Sequence, residues 1–310
     1  MLGGPESLLS LAAALGSAAV FGLSTSLQHR SVGAGRRPDR ARGHPGLLPG
    51  LLRRPAWLVG VSLSLLSFAL HAVALDFGSL LLVQPAVVTG IVFAVLIREA
   101  LDHRWPERRE VGWAAVTWLG LVAMLAGSEA GVSTPAHDAR YALPVTLVAY
   151  GLAGCSLGAA VRAPTPTRRG LWLGVTSGVL FGLVASLLEV VVTNLRADGV
   201  VALLGWQPWA LSLAGCSALA INQLAYDSTR LSVSMPVLNL VDVVVALTFA
   251  ALVYGEWPAT SPGGLLLALL GLTLLVTGIT ALSRRAEQHA DTPTAPDPSR
   301  VRARGPAELV

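Results

Sequence analysis

The chain has 310 residues, of which 53% are hydrophobic and only 13% are charged, with a formal net charge of +4. Soluble domains carry about 25% charged residues. This composition therefore excludes an ordinary soluble globular protein and predicts that lipid is the solvent. All 22 basic residues are arginine, a usage typical of a GC-rich bacterial genome. We therefore expect a protein of a bacterial cell (inner) membrane.

Nine apolar segments have about 17–25 residues each, the length that a helix needs to cross a bilayer. They cover residues 7–28, 56–76, 79–97, 111–128, 141–161, 170–194, 208–226, 231–253 and 263–282. The stretch 29–55 is rich in Arg, Pro and Gly and is predicted to be a basic loop, and the tail 283–310 is predicted to be disordered and cytoplasmic. The sequence thus predicts an all-α integral membrane protein with about nine transmembrane helices.

The distribution of arginines predicts how these spans are oriented. With nine spans, all but two of the arginines fall on the same face of the membrane, and the exceptions are Arg140 and Arg196. Arginine-rich loops stay in the cytoplasm. We therefore expect a multi-pass protein whose N-terminus is outside and whose C-terminus is cytoplasmic.

Two parts of the chain resemble each other. The stretch GSAAVFGLSTSL (Gly16–Leu27) is similar to TSGVLFGLVASL (Thr176–Leu187), and the third span aligns with the eighth so that Gln84 corresponds to Asp242. The sequence thus predicts two four-helix repeats, residues 1–128 and 170–282, joined by the span 141–161. Because that single span turns the second copy over, the repeats have opposite topology, as in many secondary transporters. The alternative is that helices rich in Leu, Ala and Gly look alike by composition alone.

Asp242 is the main candidate for a binding residue, because it is a carboxyl group near the middle of an apolar span. An acid at such a depth costs about 2.5–3.5 kcal/mol on insertion scales, so a functional role is the default hypothesis. Asn239 lies one turn before it, and Pro236 frees nearby backbone carbonyls. These oxygens suit a hard cation or a polar substrate. The structural alternative is a protonated Asp242 satisfied by one neighbouring helix.

Three further side chains are candidates for the same site. Glu189 lies on the face of a glycine ridge that includes Gly182, so we expect it to point into the bundle. His71 belongs to a stripe of small polar residues on the second span, and both it and Glu189 could instead reach the membrane interface. Gln84 is the expected partner of Asp242 across the two repeats. Asp76, Asp227 and Glu256 lie at helix ends, where capping is the expected role.

The stretches SMPVLNLVD (Ser234–Asp242) and YGEW (Tyr254–Trp257) resemble the drug/metabolite transporter (DMT) superfamily, in particular its EamA-like and NIPA-type magnesium-transporter-like members. The resemblance covers roughly residues 7–282. It implies a permease that moves a small solute or cation by alternating access, with a central site between the repeats. Small multidrug members of the superfamily carry a coupling Glu in the first helix, where this chain has Phe21 and Phe181.

The sequence contains no motif of a hydrolase, nucleotide-binding enzyme or metalloprotease in a suitable context. We therefore expect no enzymatic activity, no cofactor and no nucleic-acid partner. The expected partners are the lipid bilayer and an unidentified solute or cation, with a homodimer as an open possibility. The competing interpretation is a non-transporting membrane scaffold or partner subunit, which would tolerate Asp242→Asn.

Overall fold

A computed structural model describes residues 5–33, 54–101, 105, 107–127, 139–228, 231–256 and 261–290. In this part of the chain the regular structure is helical. The α-helices are α1 (Pro5–Gly33), α2 (Pro55–Phe77), α3 (Leu80–Val88), α4 (Gly90–Leu101), α5 (Arg108–Gly127), α6 (Ala139–Val161), α7 (Pro166–Asp198), α8 (Gln207–Ser228), α9 (Leu231–Phe249) and α10 (Pro262–Ala290). A 3-10 segment (Gly199–Leu204) follows α7, and a π-helical turn (Ala250–Tyr254) extends α9.

Seven stretches of the described residues are helical, long and apolar enough to cross a membrane, which indicates a membrane-embedded protein. They are Pro5–Gln28, Pro55–Phe77, Arg108–Gly127, Tyr141–Val161, Pro166–Leu204, Val237–Tyr254 and Pro262–Leu282. The other two predicted spans, 79–97 and 208–226, are also helical. The first of them is divided between α3 and α4, and the second corresponds to α8.

The division of the third predicted span corrects the expectation of one continuous helix. Pro85 has no N–H and its ring crowds the preceding turn of the helix, which weakens the ladder of hydrogen bonds. At the break, both the N–H and the hydroxyl of Thr89 donate to the carbonyl of Ala86, at 3.2 and 2.6 Å. The new helix starts at Gly90, where a Cβ would lie 3.0 Å from the carbonyl oxygen of Ala18 on α1. The break therefore occurs where α1 passes close by.

Two helices also run further than the sequence predicted. The first helix continues past residue 28 to Gly33, and the last continues past Leu282 to Ala290. The remainder of the predicted basic loop, 34–53, and of the predicted disordered tail, 291–310, lies outside the described residues.

A ladder of serines joins α1 to α2. Ser10, Ser17 and Ser24 recur every seven residues, and their hydroxyls donate to the carbonyls of Ala74, Ser67 and Gly60 at 2.7–2.8 Å. The two helices are antiparallel, because the α2 partners run backwards as α1 advances. The predicted small-polar stripe on the second span is therefore the contact face with α1. Such hydroxyl bonds are worth about 0.6 kcal/mol each in membrane proteins.

Close helix contacts in the second half use glycine. A Cβ added to Gly174, Gly178 or Gly182 of α7 would lie 2.6–2.7 Å from a backbone carbonyl oxygen of α9. The same close approach joins α5 to α10, where a Cβ on Gly271 would lie 2.7 Å from the Gly120 carbonyl oxygen. Removing the side chain lets two helix backbones touch, which is how helices associate in lipid. The predicted glycine ridge that includes Gly182 is therefore a packing surface.

Helix α3 is the most enclosed element of the described structure. Every residue of it except Val87 is buried, and its side chains belong to a cluster with α1, α2, α5, α7, α9 and α10. Such a short helix is apolar all round apart from Gln84, as expected for a helix without a solvent or lipid face. The functional candidates lie around this buried helix.

Candidate functional site around helix α3

The first polar contact joins α3 to α9. The amide Nε2 of Gln84 donates a hydrogen bond to Oδ1 of Asp242 at 2.8 Å. Gln84 is 1% exposed, whereas Asp242 is partly buried. The sequence comparison predicted that these residues lie opposite each other, and the structure brings them together. What the pair binds stays a prediction.

The backbone around Asp242 is held by α7. A Cβ on Gly182 would lie 2.6 Å from the carbonyl oxygen of Asp242 itself. The glycine ridge thus fixes the height and rotation of α9 at the carboxylate. Asn239, the predicted companion, lies one turn earlier in α9 and is partly buried. The oxygen Oε1 of Gln84 is buried and has no hydrogen-bond partner among the described residues.

A second polar cluster lies at the N-terminus of α3. Oε2 of Glu256 accepts the backbone N–H of Leu81 at 3.3 Å, and the carboxyl group of Glu189, on α7, lies near the N–H of Leu80. These are two of the N–H groups that a helix start leaves without an intrahelical partner. The helix dipole places partial positive charge at this end and favours a carboxylate there. Glu256, an acid of the second half, therefore caps a helix of the first half, and Glu189 lies near the same helix start.

The Glu189 and Glu256 carboxyl groups are also neighbours of each other. They lie close enough for their charges to interact, and their exposed fractions are 2% and 8%. Each has a buried oxygen, Glu189 Oε2 and Glu256 Oε1, with no hydrogen-bond partner in the described part of the chain. Ser79, the residue before α3, is buried and its hydroxyl is likewise unpartnered there. The cluster thus contains more polar atoms than its contacts satisfy.

Glu256 reaches this position through an unusual helix end. The π-helical turn Ala250–Tyr254 closes α9, and Gly255 follows in the left-handed region at φ 66°. This conformation suits glycine, which has no Cβ. The N–H of Glu256 then donates to the carbonyl of Ala250 at 3.1 Å, which turns the chain back towards the bundle. The Gly-Glu pair of the YGEW motif therefore places a carboxylate inside.

Burial affects the ionisation of Glu256, which lies two residues beyond the membrane-spanning stretch Val237–Tyr254. Loss of solvent raises the pKa of Glu256 to about 7, against a smaller opposing contribution from the Leu81 N–H. The side chain therefore titrates near neutral pH.

The two clusters are neighbours along α3. Leu81 donates its N–H to Glu256, and Gln84 lies about one helical turn further on, at a rise of about 5 Å. The helix thus carries the Glu189–Glu256 pair at its start and the Gln84–Asp242 pair in its second turn. Both clusters combine a side chain or backbone group of the first half with acids of the second half.

The structure assigns the other candidates different surroundings. His71 is buried on α2, and its Nε2 has no hydrogen-bond partner among the described residues. Asp76, at the end of α2, forms an ion pair with Arg196 near the end of α7. That pair corrects the expectation of simple capping for Asp76. The side chain of Asp227 lies outside the described residues.

The polar side chains around α3 offer mainly carboxyl and amide oxygens. No group of three or more His, Cys, Asp and Glu residues within the described ranges could hold a metal ion. The predicted cation ligands Asp242 and Asn239 therefore stay a prediction. The arrangement as described can bind and release protons and can donate or accept hydrogen bonds with a polar solute.

Sequence reasoning missed the role of Glu256. It lies just after an apolar run, and the expected function was capping at its own helix end. The structure has it capping α3, which is distant in sequence. One signal was available: the acids Glu189, Asp242 and Glu256 all belong to the second predicted repeat, whereas the aligned third span offers only Gln84.

The described fold and these clusters define a helical membrane protein with a polar centre built on a short, broken helix. In sequence, the chain is similar to an uncharacterized protein of Corynebacterium glutamicum, with 27% identity over 294 residues. The similarity covers 92% of this chain and 98% of the corynebacterial protein. No protein-family model matches the chain, and no solved structure matches it.

Proposed function

We propose that the protein is a secondary transporter that moves a small polar solute or cation by alternating access. The observation that carries the proposal is the Gln84–Asp242 hydrogen bond, which joins the two predicted repeats in the interior of the bundle. A scaffold gains little from a partly buried acid at this depth, because an apolar contact would associate the helices without the desolvation penalty. A transporter needs such a group to bind a polar ligand and release it.

The contacts between helices support the inverted repeat on which the proposal depends. In the predicted repeat, α3 and α4 correspond to α9, and α5 corresponds to α10. The helices α3 and α9 pack against each other, as do α5 and α10. Contacts between equivalent elements are expected when two copies are related by a pseudo-twofold axis. In both halves the first helix packs on the next two predicted spans: α1 packs on α2 and on the span divided into α3 and α4, and α7 packs on α8 and α9.

The discontinuity of the third span also supports the proposal. Secondary transporters build midplane sites from broken helices, whose ends present unpaired backbone groups and a dipole to the ligand. Here α3 ends at Val88, and its start supplies the Leu81 N–H to the carboxylate of Glu256. Irregular backbone at membrane depth is tolerated where it is enclosed by protein or lines a cavity. The enclosure of α3 meets the first of these conditions.

The test is an untargeted comparison of solutes accumulated or lost by cells that make the protein, the Asp242→Asn variant or neither. We expect at least one small polar solute or cation to change with the protein and to return to the level of the empty cells in Asp242→Asn. The matched control is Asp198→Asn, which neutralises an exposed acid at the end of α7. An Asp242→Asn variant that changes the same solutes as the unaltered protein would favour the scaffold interpretation.

A further inference from the structure

The 3-10 segment Gly199–Leu204, which joins α7 to α8, carries exposed apolar side chains. A 3-10 helix has three residues per turn, so its side chains form three rows. Two of these rows point outward, and the third contains the half-buried Ala202. The outward side chains are 47–83% exposed, and they are Val200, Val201, Leu203 and Leu204. Exposed apolar side chains that lie together mark a surface for a partner or for lipid.

The composition around the segment favours lipid. Residues 199–226 contain no Asp, Glu, Lys or Arg, whereas the connection that leads into α7, residues 162–169, contains three arginines. Trp206 and Trp209 follow the segment, and Trp209 is 72% exposed in the first turn of α8. Tryptophan is enriched where a protein passes from lipid into water. The connection therefore has the composition of a membrane interface.

The length of α7 gives the depth at which the segment starts. An exposed arginine lies at each end of the helix, Arg169 in its first turn and Arg196 in its last. The helix rises about 40 Å between them, at about 1.5 Å per residue. A bilayer is about 40–45 Å thick when its headgroup layers are included. Both arginines therefore lie at headgroup level when α7 crosses the membrane.

The segment folds back beside the end of α7 instead of extending it. A cleft between the two is lined by residues of α7, the segment and the start of α8, namely Asn194, Asp198, Val201, Ala202, Gly205 and Gln207. The segment therefore lies at the level of the last two turns of α7, which is the headgroup level of Arg196. On α8 the exposed Trp209 and Leu213 lie one turn apart, so a lipid-facing row begins directly after the segment.

We propose that Gly199–Leu204 is a membrane anchor, whose apolar side chains insert into the leaflet on the side where α7 ends. The partner is the lipid itself, because the depth of the segment puts its exposed side chains at the boundary between headgroups and acyl chains, where amphipathic elements bind. The anchor fixes the height of the α7–α8 connection in the membrane. In the predicted orientation the leaflet is the outer one. The proposal does not depend on the proposed transport function.

The test is the accessibility of a nitroxide spin label on the full-length chain in vesicles of phosphatidylcholine and phosphatidylglycerol. Cys155 and Cys216 are replaced by alanine, and the label is attached to Leu204→Cys. Oxygen concentrates in lipid and a nickel chelate stays in water, so the two reagents report the surroundings of the label. Leu213→Cys on α8 is the lipid reference, and Thr167→Cys, at an exposed position in the first turn of α7, is the water reference.

We expect the label at Leu204→Cys to match the lipid reference, with relaxation by oxygen and loss of relaxation by the nickel chelate. Relaxation by the chelate at the level of Thr167→Cys would overturn the proposal, because the segment would then lie in water. Protection from both reagents would overturn it as well, because a protein surface, such as a second copy of the chain, would then cover the segment. Val200→Cys, in the other outward row, repeats the measurement and should agree.

Discussion

The two polar clusters on α3 place acids of the second half against the first half in contrasting ways. Asp242 meets an amide that donates a hydrogen bond to one of its carboxyl oxygens. Glu189 and Glu256 lie close enough for their charges to interact, Glu256 accepts the Leu81 N–H, and each acid keeps a buried oxygen without a partner among the described residues. One cluster is suited to recognising a polar ligand and the other to binding a proton. The difference is that Asp242 faces the amide of Gln84, whereas Glu189 and Glu256 are both acids.

The largest expected effect comes from removing that difference. Gln84→Glu places two acids together at the Asp242 contact, and an unpaired buried charge costs about 3–5 kcal/mol. We expect the free energy of unfolding in detergent to fall by about 4 kcal/mol at high pH and to recover on acidification, when the new acid can be protonated and donate. A pH series of unfolding curves measures this. Gln207→Glu at the start of α8 is the control and should have little effect, and an equal loss at all pH values would contradict the comparison.

The reverse exchange, Glu256→Gln, should remove a pH dependence. Because burial raises the pKa of Glu256 from 4.5 to about 7, the folded chain binds more protons than the unfolded chain between these pH values. The contribution of Glu256 to the free energy of unfolding is therefore complete below pH 4.5. This contribution falls by about 3 kcal/mol as the pH rises to about 7.

The free energy of unfolding, measured across that pH range, should decrease with rising pH in the unaltered chain and stay nearly constant in Glu256→Gln. The exposed acid at Glu6 provides the control, Glu6→Gln, which should keep the decline. A decline of equal size in Glu256→Gln would mean that the titrating group lies elsewhere.

A smaller effect is expected from the glycine ridge that holds Asp242. Gly182→Ala adds a methyl group 2.6 Å from the Asp242 carbonyl oxygen, so α9 must move away. Overpacking of this kind costs about 1–3 kcal/mol, and it should also lower the affinity for any ligand of Asp242. Gly154→Ala on α6 meets nothing within 4 Å and should be neutral or stabilising by up to about 1 kcal/mol. Equal behaviour of the two variants in thermal unfolding would argue against a close α7–α9 contact.

The smallest effect concerns the ion pair between Arg196 and Asp76, which joins α7 to α2. The side chains are 56% and 34% exposed, and exposed pairs contribute about 0.2–1 kcal/mol. We expect Arg196→Gln to reduce stability by about 0.5 kcal/mol, with the difference disappearing at high salt. Arg168→Gln, at an exposed position in the first turn of α7, should have no such salt dependence. A loss of several kcal/mol would show that the pair is part of the central site.

Much of the helical framework could be predicted from the sequence, because apolar length is a direct consequence of bilayer thickness. Each of the nine predicted segments is helical in the described structure. The break at Thr89 was not predicted, since it depends on Pro85 within an unbroken apolar run and on α1 packing at Gly90. A hydropathy profile shows neither the effect of Pro85 nor the packing of α1 at Gly90.

The candidate site was predictable only in part. Aligning the two predicted repeats was enough to place Gln84 opposite Asp242, because equivalent helices of inverted repeats are expected to meet at the axis that relates them. The partner of Glu189 was not predictable, because Glu256 reaches it through a π-helical turn and a left-handed glycine. Those features depend on backbone geometry at a single helix end and have no periodicity that a sequence pattern could reveal.

The most direct test of the account is transport by the purified chain in vesicles, using a solute that the cellular comparison has identified. We expect the unaltered chain to transport this solute with a rate that depends on pH, and Asp242→Asn to lose transport while unfolding at a similar temperature. Asp198→Asn should transport normally. Transport by Asp242→Asn at the unaltered rate and with the unaltered pH dependence would contradict the account and leave Asp242 as a structural acid.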